Sequence, residues 1–304
     1  MKTKIIIAAV IAAIALMIVL IPSDPCTCSQ CTCEQPCKCD GNCGNGNCCT
    51  PSCGVDSTKM PLNLTVFVDL SDRMTKNTNG TTQLEKDMAI INQLADFVSK
   101  KSFSENITTA KDCFRVKFHP APTDATINSL AENLDVDLSQ FSTTEMGKKM
   151  STAHDLAKTV NDNMKVIYDN SMKQANYIGC DIWGFFNTKA KPYCVKDGYR
   201  NVLVVLTDGY IYHINNLIKE ENVATYITPQ TLMAKTALKP CHQDLSDLEV
   251  LFLEVNAEPQ TDFVKLQETI SEWLKGMKVK KFDIVETDLP TNTKTIIDSF
   301  LKIK

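Results

Sequence analysis

A stretch of chain with nothing apolar to bury cannot fold around a hydrophobic core, and Pro25 to Gly54 is such a stretch. It reads PCTCSQCTCEQPCKCDGNCGNGNCCTPSCG, without leucine, isoleucine or an aromatic residue. Ten of the chain's 14 cysteines lie in it: Cys26, Cys28, Cys31, Cys33, Cys37, Cys39, Cys43, Cys48, Cys49 and Cys53. The rest is Pro, Gly, Asn, Ser, Thr and a few charges, too little to offset the entropy of ordering the chain. Order here must come from sulfur, through disulfides or metal–thiolate bonds; otherwise the segment is a disordered spacer.

Three C-x-C pairs, Cys26/Cys28, Cys31/Cys33 and Cys37/Cys39, suit clamping of a soft metal such as Cu(I) or Zn²⁺ from an extended chain. In this respect the segment resembles a metallothionein stretch. The paired C-x2-C spacing of zinc knuckles is not clearly present. Disulfides are the alternative wherever the compartment is oxidising.

The compartment is indicated by what precedes. Lys2 and Lys4 stand before an uninterrupted apolar run, Ile5 to Ile21, the pattern of a membrane-addressed N-terminus. The run lies at the short end of what can span a bilayer as a helix. It ends Val19-Leu20-Ile21-Pro22-Ser23-Asp24, with no A-x-A cleavage pattern, and Ser23-Asp24-Pro25 does not suit lipoprotein processing at Cys26. These features favour an uncleaved signal anchor over secretion after cleavage. The lysines remain cytoplasmic by the positive-inside rule, which puts the chain beyond about Ser23 outside the cytoplasm, in a periplasm or beyond. The expected organisation is a transmembrane helix at 1–22, an irregular Cys-rich stalk or linker at 23–58, and one large domain at 59–304.

That domain has ordinary composition, and the net charge of the 304-residue chain is −4 without a basic stripe, which argues against nucleic acid as a partner. Short β-branched runs predict strands at 62–70, 113–119, 201–207, 249–256 and 280–286. Helical periodicity falls between them at 83–101, 145–173, 261–277 and 291–301. In the first helix, Asp87, Asp96 and Lys100 are assigned to a polar face opposite Met88, Ile91, Leu94, Ala95 and Val98. Strands alternating with helices imply an α/β fold: an open, mostly parallel sheet with helices on both faces. Such sheets bind ligands at the carboxyl ends of their strands, where strand order reverses.

Two of these strand ends carry polar residues. The first strand runs into Asp69-Leu70-Ser71-Asp72-Arg73 and the central one into Thr207-Asp208-Gly209. Oxygen ligands converging there suit Mg²⁺ or a similar hard divalent ion. Here the chain resembles a von Willebrand factor type A domain over roughly residues 60–304. That family's metal-ion-dependent adhesion site uses D-x-S-x-S after the first strand, a separate Thr, and an Asp in a T-D-G-like turn. The resemblance implies metal ligation by Asp69, Ser71, Thr144 and Asp208, with Thr144-Glu145-Met146-Gly147 matching the family's T-x-x-G helix opening. It also implies a protein partner whose carboxylate completes the coordination. The departure is Arg73 at the second serine, which removes an oxygen ligand and adds a fixed positive charge. Either Arg73 points outward, or its guanidinium pairs with Asp69 or Asp208 in place of the ion; Asp72 next door could offset part of the charge.

Cys180 and Cys194 bracket the segment DIWGFFNTKAKPY, read as a loop rich in apolar residues, and a disulfide between them would contribute about 3 kcal/mol on a loop-entropy argument. His119, His154, His213 and His242 are scattered and read as ordinary residues. No G-x-S-x-G, H-E-x-x-H or glycine-rich phosphate loop is present, and Asp69-Leu70-Ser71 lacks the second Asp of a haloacid-dehalogenase-type phosphatase. The expected function is therefore non-enzymatic: a membrane-anchored extracytoplasmic binding module for a protein partner. The alternative is metal handling by the Cys-rich segment, with the large domain as a docking platform.

Overall fold

Leu62–Val68 is a run of seven residues buried on both faces, and it forms β1 in the interior of a six-stranded sheet. The computed structural model describes residues 60–78, 80–172, 179–210, 218–220, 223–225, 243–257 and 263–301. All of them belong to the unit Asp56–Lys304. The expected anchor at 1–22 and the ten cysteines of the stalk lie outside the described residues. Among the described residues, no helix is long and apolar enough to cross a membrane.

The remaining sheet strands are β2 (Cys113–Lys117), β3 (Asp135–Asp137), β4 (Arg200–Leu206), β5 (Leu248–Val255) and β6 (Lys281–Glu286). Their spatial order is β6-β5-β4-β1-β2-β3. All neighbours pair in parallel except β3, which is antiparallel to β2. The short polar β3 was not foreseen from its sequence. Its Asp135 pairs with Arg115 and Lys117 and its Asp137 with Lys196, so charge protects this edge from further strand addition.

The helices are α1 (Gln83–Ser104), α2 (Ala125–Glu132), α3 (Met146–His154), α4 (Leu156–Ser171), α5 (Ile182–Thr188), α6 (Ala190–Cys194), α7 (Phe263–Gly276) and α8 (Pro290–Leu301). A capping box starts α1: the Thr82 side chain accepts from Glu85 N, and Glu85 accepts from Thr82 N. Asn106, at φ 88°, follows its C-terminus in the left-handed conformation that asparagine tolerates there. The single helix expected at 145–173 is two helices. Asp155 interrupts it in the bridge conformation, φ −88° and ψ 2°, as a residue prone to local hydrogen bonding can.

Alternation along the strands sends side chains to two cores. On one face Leu64, Val66 and Val204 pack with Leu94 and Val98 of α1 and Met164 of α4. On the other, Phe67, Val205 and Phe252 pack with Phe185 and Phe186 of α5 and Trp273 of α7. The Phe186 and Trp273 rings lie 4.7 Å apart, and Phe67 and Phe185 lie 4.2 Å apart. Each such fully buried side chain contributes roughly 1.5–3 kcal/mol relative to exposure. The segment read as a loop between Cys180 and Cys194 is thus two short helices that supply one wall of the second core.

Cys180 and Cys194 are both free, so the expected disulfide is not formed. The Cys194 thiol lies at Thr65, and its carbonyl accepts from Asn63 Nδ2 at 2.9 Å. Cys180 lies by Asp69 and Asp208 at the other end of β1. Four strand residues separate those levels by about 13 Å, far beyond the reach of a disulfide.

Candidate functional site at the strand carboxyl edge

The chain leaves β1 toward β2 on one side and returns to β4 on the other, so strand order reverses between β1 and β4. This is the crevice in which open α/β sheets place ligands. Asp69 and Thr207-Asp208 meet there. Asp69 N donates to Leu206 O at 3.0 Å, and Thr207 Oγ1 donates to Asp69 Oδ2 at 3.0 Å. The other oxygen, Asp69 Oδ1, accepts from Ser71 N at 2.9 Å. The Ser71 hydroxyl makes no capping bond to the 3-10 turn Asp72–Thr75 that it precedes. Gly209 is required in the following turn: its φ is 95°, and a Cβ there would meet Val255 Cγ1 at 2.7 Å.

Arg73 turns inward. Its side chain is 1% exposed, and its guanidinium occupies the centre of the site. Nη2 donates to Asp87 Oδ2 at 2.5 Å and to Leu206 O at 3.0 Å, while Nε donates to Asp69 O at 3.2 Å. Nε also lies 3.8 Å from Asp69 Oδ2. Burial opposes the charge on Arg73, but Asp87 and then Asp69 outweigh it and raise the pKa above its usual value. The side chain does not point outward, and its closest carboxylate is Asp87 rather than the Asp69 or Asp208 considered from sequence. Asp87 is not on a polar helix face; it is fully buried, and its carboxylate also accepts from Tyr168 OH at 2.9 Å and Gln83 Nε2 at 2.9 Å. Burial pushes its pKa up against the pull of Arg73.

The polar group continues inward. Gln83 Nε2 also donates to Glu254 Oε2 at 3.2 Å, and Glu254 accepts from Thr287 Oγ1 at 2.6 Å and Thr293 Oγ1 at 3.4 Å, with Lys86 Nζ 3.7 Å away. Glu254 has φ 65°, strained for a non-glycine residue, and the β5–β6 register shifts beside it as in a bulge. The strain aims this carboxylate into the network. From sequence, Asp87 is assigned to a polar helix face and Glu254 is not singled out.

At the rim, Asp208 is 17% exposed at its side chain and lies 3.6 Å from Lys76 Nζ. Burial and the neighbouring Asp69 push its carboxyl up to about 6, against Arg73 and Lys76.

Thr144 is not brought to this group. It is exposed in the turn Thr143–Glu145, in hydrogen-bond contact with Ser142 Oγ at 3.0 Å. The following helix is tied to the amino-terminal edge of the sheet, where Lys149 Nζ donates to Ala110 O at 2.5 Å just before β2 begins. From there α4 climbs to the carboxyl edge, which it reaches at Tyr168. The helix opening at the carboxyl edge is Asp181-Ile182-Trp183-Gly184. Asp181 N donates to His119 O, beyond the end of β2, at 2.8 Å, and Gly184 N donates to Asp181 Oδ1 at 2.7 Å. A Cβ at Gly184 would meet Asp181 Oδ2 at 2.3 Å, whereas one at Gly147 would meet nothing. That x-x-Gly spacing was the available signal, in a segment read as a loop.

As arranged, these side chains do not fit a divalent cation. Both Asp69 oxygens already accept hydrogen bonds from the protein, and among the described residues no group of three or more His, Cys, Asp or Glu is placed to hold a metal. An ion bound to Asp69 Oδ2 at about 2.1 Å would lie no more than about 6 Å from Arg73 Nε. That fixed positive charge, although paired with Asp87, would oppose a dication at such a range.

No protein-family model matches the chain, and no curated protein matches it. Among solved structures, it is similar to an aerotolerance-related membrane protein from Bacteroides fragilis carrying multiple mutations to serine, with TM-score 0.35 and 14% identity over 79% of this chain and 98% of that one. It is also similar to the pilus adhesin SpaC from Lactobacillus rhamnosus GG, with TM-score 0.36 and 9% identity over 80% of this chain. This chain spans 30% of the adhesin's length.

Proposed function

We propose that this chain is a membrane-anchored, extracytoplasmic binding module of the von Willebrand factor type A kind, which captures a protein partner at the carboxyl edge of its sheet and performs no catalysis. The observation that carries this reading is the β1/β4 crevice, where Asp69, Thr207 and Asp208 converge and where, among the described residues, Ser71, Lys76 and Asp208 are partly open to solvent. Groups held rigidly from beneath and presented at a rim suit recognition of a partner's surface. The buried carboxylates are engaged by donors of the domain itself, which suits a scaffold better than a reaction centre. Lys2, Lys4 and the apolar run Ile5 to Ile21 support the anchor and the side of the membrane.

The test uses the full-length protein in its native membranes, with a photo-crosslinking residue at exposed Asp72 beside the crevice or at exposed Lys111 on the opposite edge. The expected result is a discrete crosslinked species from position 72 that disappears with Asp208→Lys and is absent from position 111. Identical crosslinks from both edges, or a species indifferent to Asp208→Lys, would refute the site. Extraction of the intact protein by carbonate would refute the anchor.

A further inference from the structure

We infer that Arg73 is the site's permanent cation, so that the carboxyl edge neither binds nor responds to Mg²⁺ or a similar divalent ion. This deepens the binding reading above, but it is tested without a partner, so either can fail alone. Three observations converge. The guanidinium lies among the groups that a cation would neutralise, 2.5 Å from Asp87 and 3.8 Å from Asp69. It is held by two main-chain carbonyls, Asp69 O and Leu206 O, from the adjacent ends of β1 and β4, so it cannot swing out without breaking hydrogen bonds at the crevice itself. At the rim, Asp208 has its own cation in Lys76 at 3.6 Å, and Asp181 is engaged in capping Gly184 N at 2.7 Å. The positive charge that an ion would bring is therefore already covalently present.

A side-chain cation differs from a bound ion in one testable respect: chelators cannot remove it. It also differs in shape. The planar guanidinium makes three hydrogen bonds through Nε and Nη2, while Nη1 is buried without a hydrogen-bond partner among the described residues. Its fork matches two carbonyls and a carboxylate where a Mg²⁺ ion would demand six oxygens in octahedral array.

The experiment is a Mn²⁺ titration of the purified full-length protein by electron paramagnetic resonance, beside its thermal midpoint with MgCl₂ or EDTA. Both tryptophans, Trp183 and Trp273, lie in the α/β domain, so their fluorescence reports its unfolding. Expected for the wild type is no Mn²⁺ binding that Asp208→Asn removes, and the same midpoint with Mg²⁺ as with EDTA. A bound ion at about 100 times its dissociation constant would instead raise the midpoint by about 5–10 °C. Stoichiometric Mn²⁺ binding abolished by Asp208→Asn, or a midpoint rise of that size, overturns the inference. Because the wild type and Asp208→Asn decide the matter, it does not depend on whether an Arg73 variant folds.

Discussion

Replacing Arg73 by methionine tests the centre of this network most directly. The substitution keeps much of the side-chain volume but removes every donor. Asp87 would then remain fully buried with only Tyr168 and Gln83 as partners, and Asp69 O and Leu206 O would lose the donors they share with the guanidinium. Removing one member of a buried ion pair typically costs about 3–5 kcal/mol. In a domain of this size each kcal/mol moves the midpoint by about 2–4 °C, so a fall of roughly 10 °C is expected in tryptophan fluorescence. The loss should also become pH-dependent in a definite direction. Burial already pushes Asp87 up, and the variant lacks Arg73, the cation that pulls it down. The folded state then binds the proton more tightly than the unfolded state, so the variant's stability should rise as pH falls from 8 toward 5. Asp87→Asn in the Arg73→Met background should recover part of the loss, with a coupling of about 2 kcal/mol. A cost below about 1 kcal/mol for Arg73→Met, or additivity within about 0.5 kcal/mol, would refute the pairing as described.

Three further outcomes follow from other parts of the fold. Burial disfavours the charge on Asp137, but bonds from Lys196 and Ser139 outweigh it and hold the carboxyl at about 2; its contribution should be complete above the ordinary Asp range near 4 and be lost between about pH 4 and 2. Asp137→Asn should therefore flatten the acid limb of stability against pH, and an unchanged limb would count against the Lys196 pairing. Glu254→Gly would relieve a positive φ worth about 1–2 kcal/mol but leave buried Lys86 without its carboxylate. A net loss near 2 kcal/mol in urea unfolding is expected, and a gain would show that the strain outweighs the network. Peptide mapping after alkylation in denaturant without reductant should find Cys180 and Cys194 each labelled, and a Cys180–Cys194 linked peptide would contradict their placement at opposite ends of β1.

The sequence was most legible where one physical demand dominated. β1 and β4 are buried on both faces, and a strand in that position must be a near-continuous apolar run, as LNLTVFV and NVLVVL are. The start of α1 was less obvious than its periodicity, although Thr82 and Glu85 stand at capping-box spacing. α5 escaped because seven residues are too few to show a helical period, and flanking cysteines made the segment look like a stapled loop. Thr144-x-x-Gly147 and Asp181-x-x-Gly184 have the same spacing, and nothing local distinguishes them. Only the course of α3 and α4, from Lys149 at one edge to Tyr168 at the other, decides which opening faces the crevice.

The orientation of Arg73 depends on contacts more distant still. Ser71 lies two residues away, so a residue that departs from a hydroxyl pattern is naturally judged beside it. Yet its closest carboxylate is 14 residues on, and the tyrosine that fixes that carboxylate is 81 residues further. Asp87 looked solvent-facing because a charge on an amphipathic helix usually is. Reading Arg73 and Asp87 together resolves both: a buried guanidinium needs a carboxylate, and a carboxylate at a core position of α1 needs a cation. Each is costly alone, and each accounts for the other. The guanidinium of Arg73 and the carboxylate of Asp87 are therefore best understood as one unit of the site's chemistry. Arg73→Ser alone would strand Asp87 without its cation. On this reasoning the double variant Arg73→Ser/Asp87→Leu should be more stable than Arg73→Ser, an ordering that fluorescence-monitored unfolding can reverse.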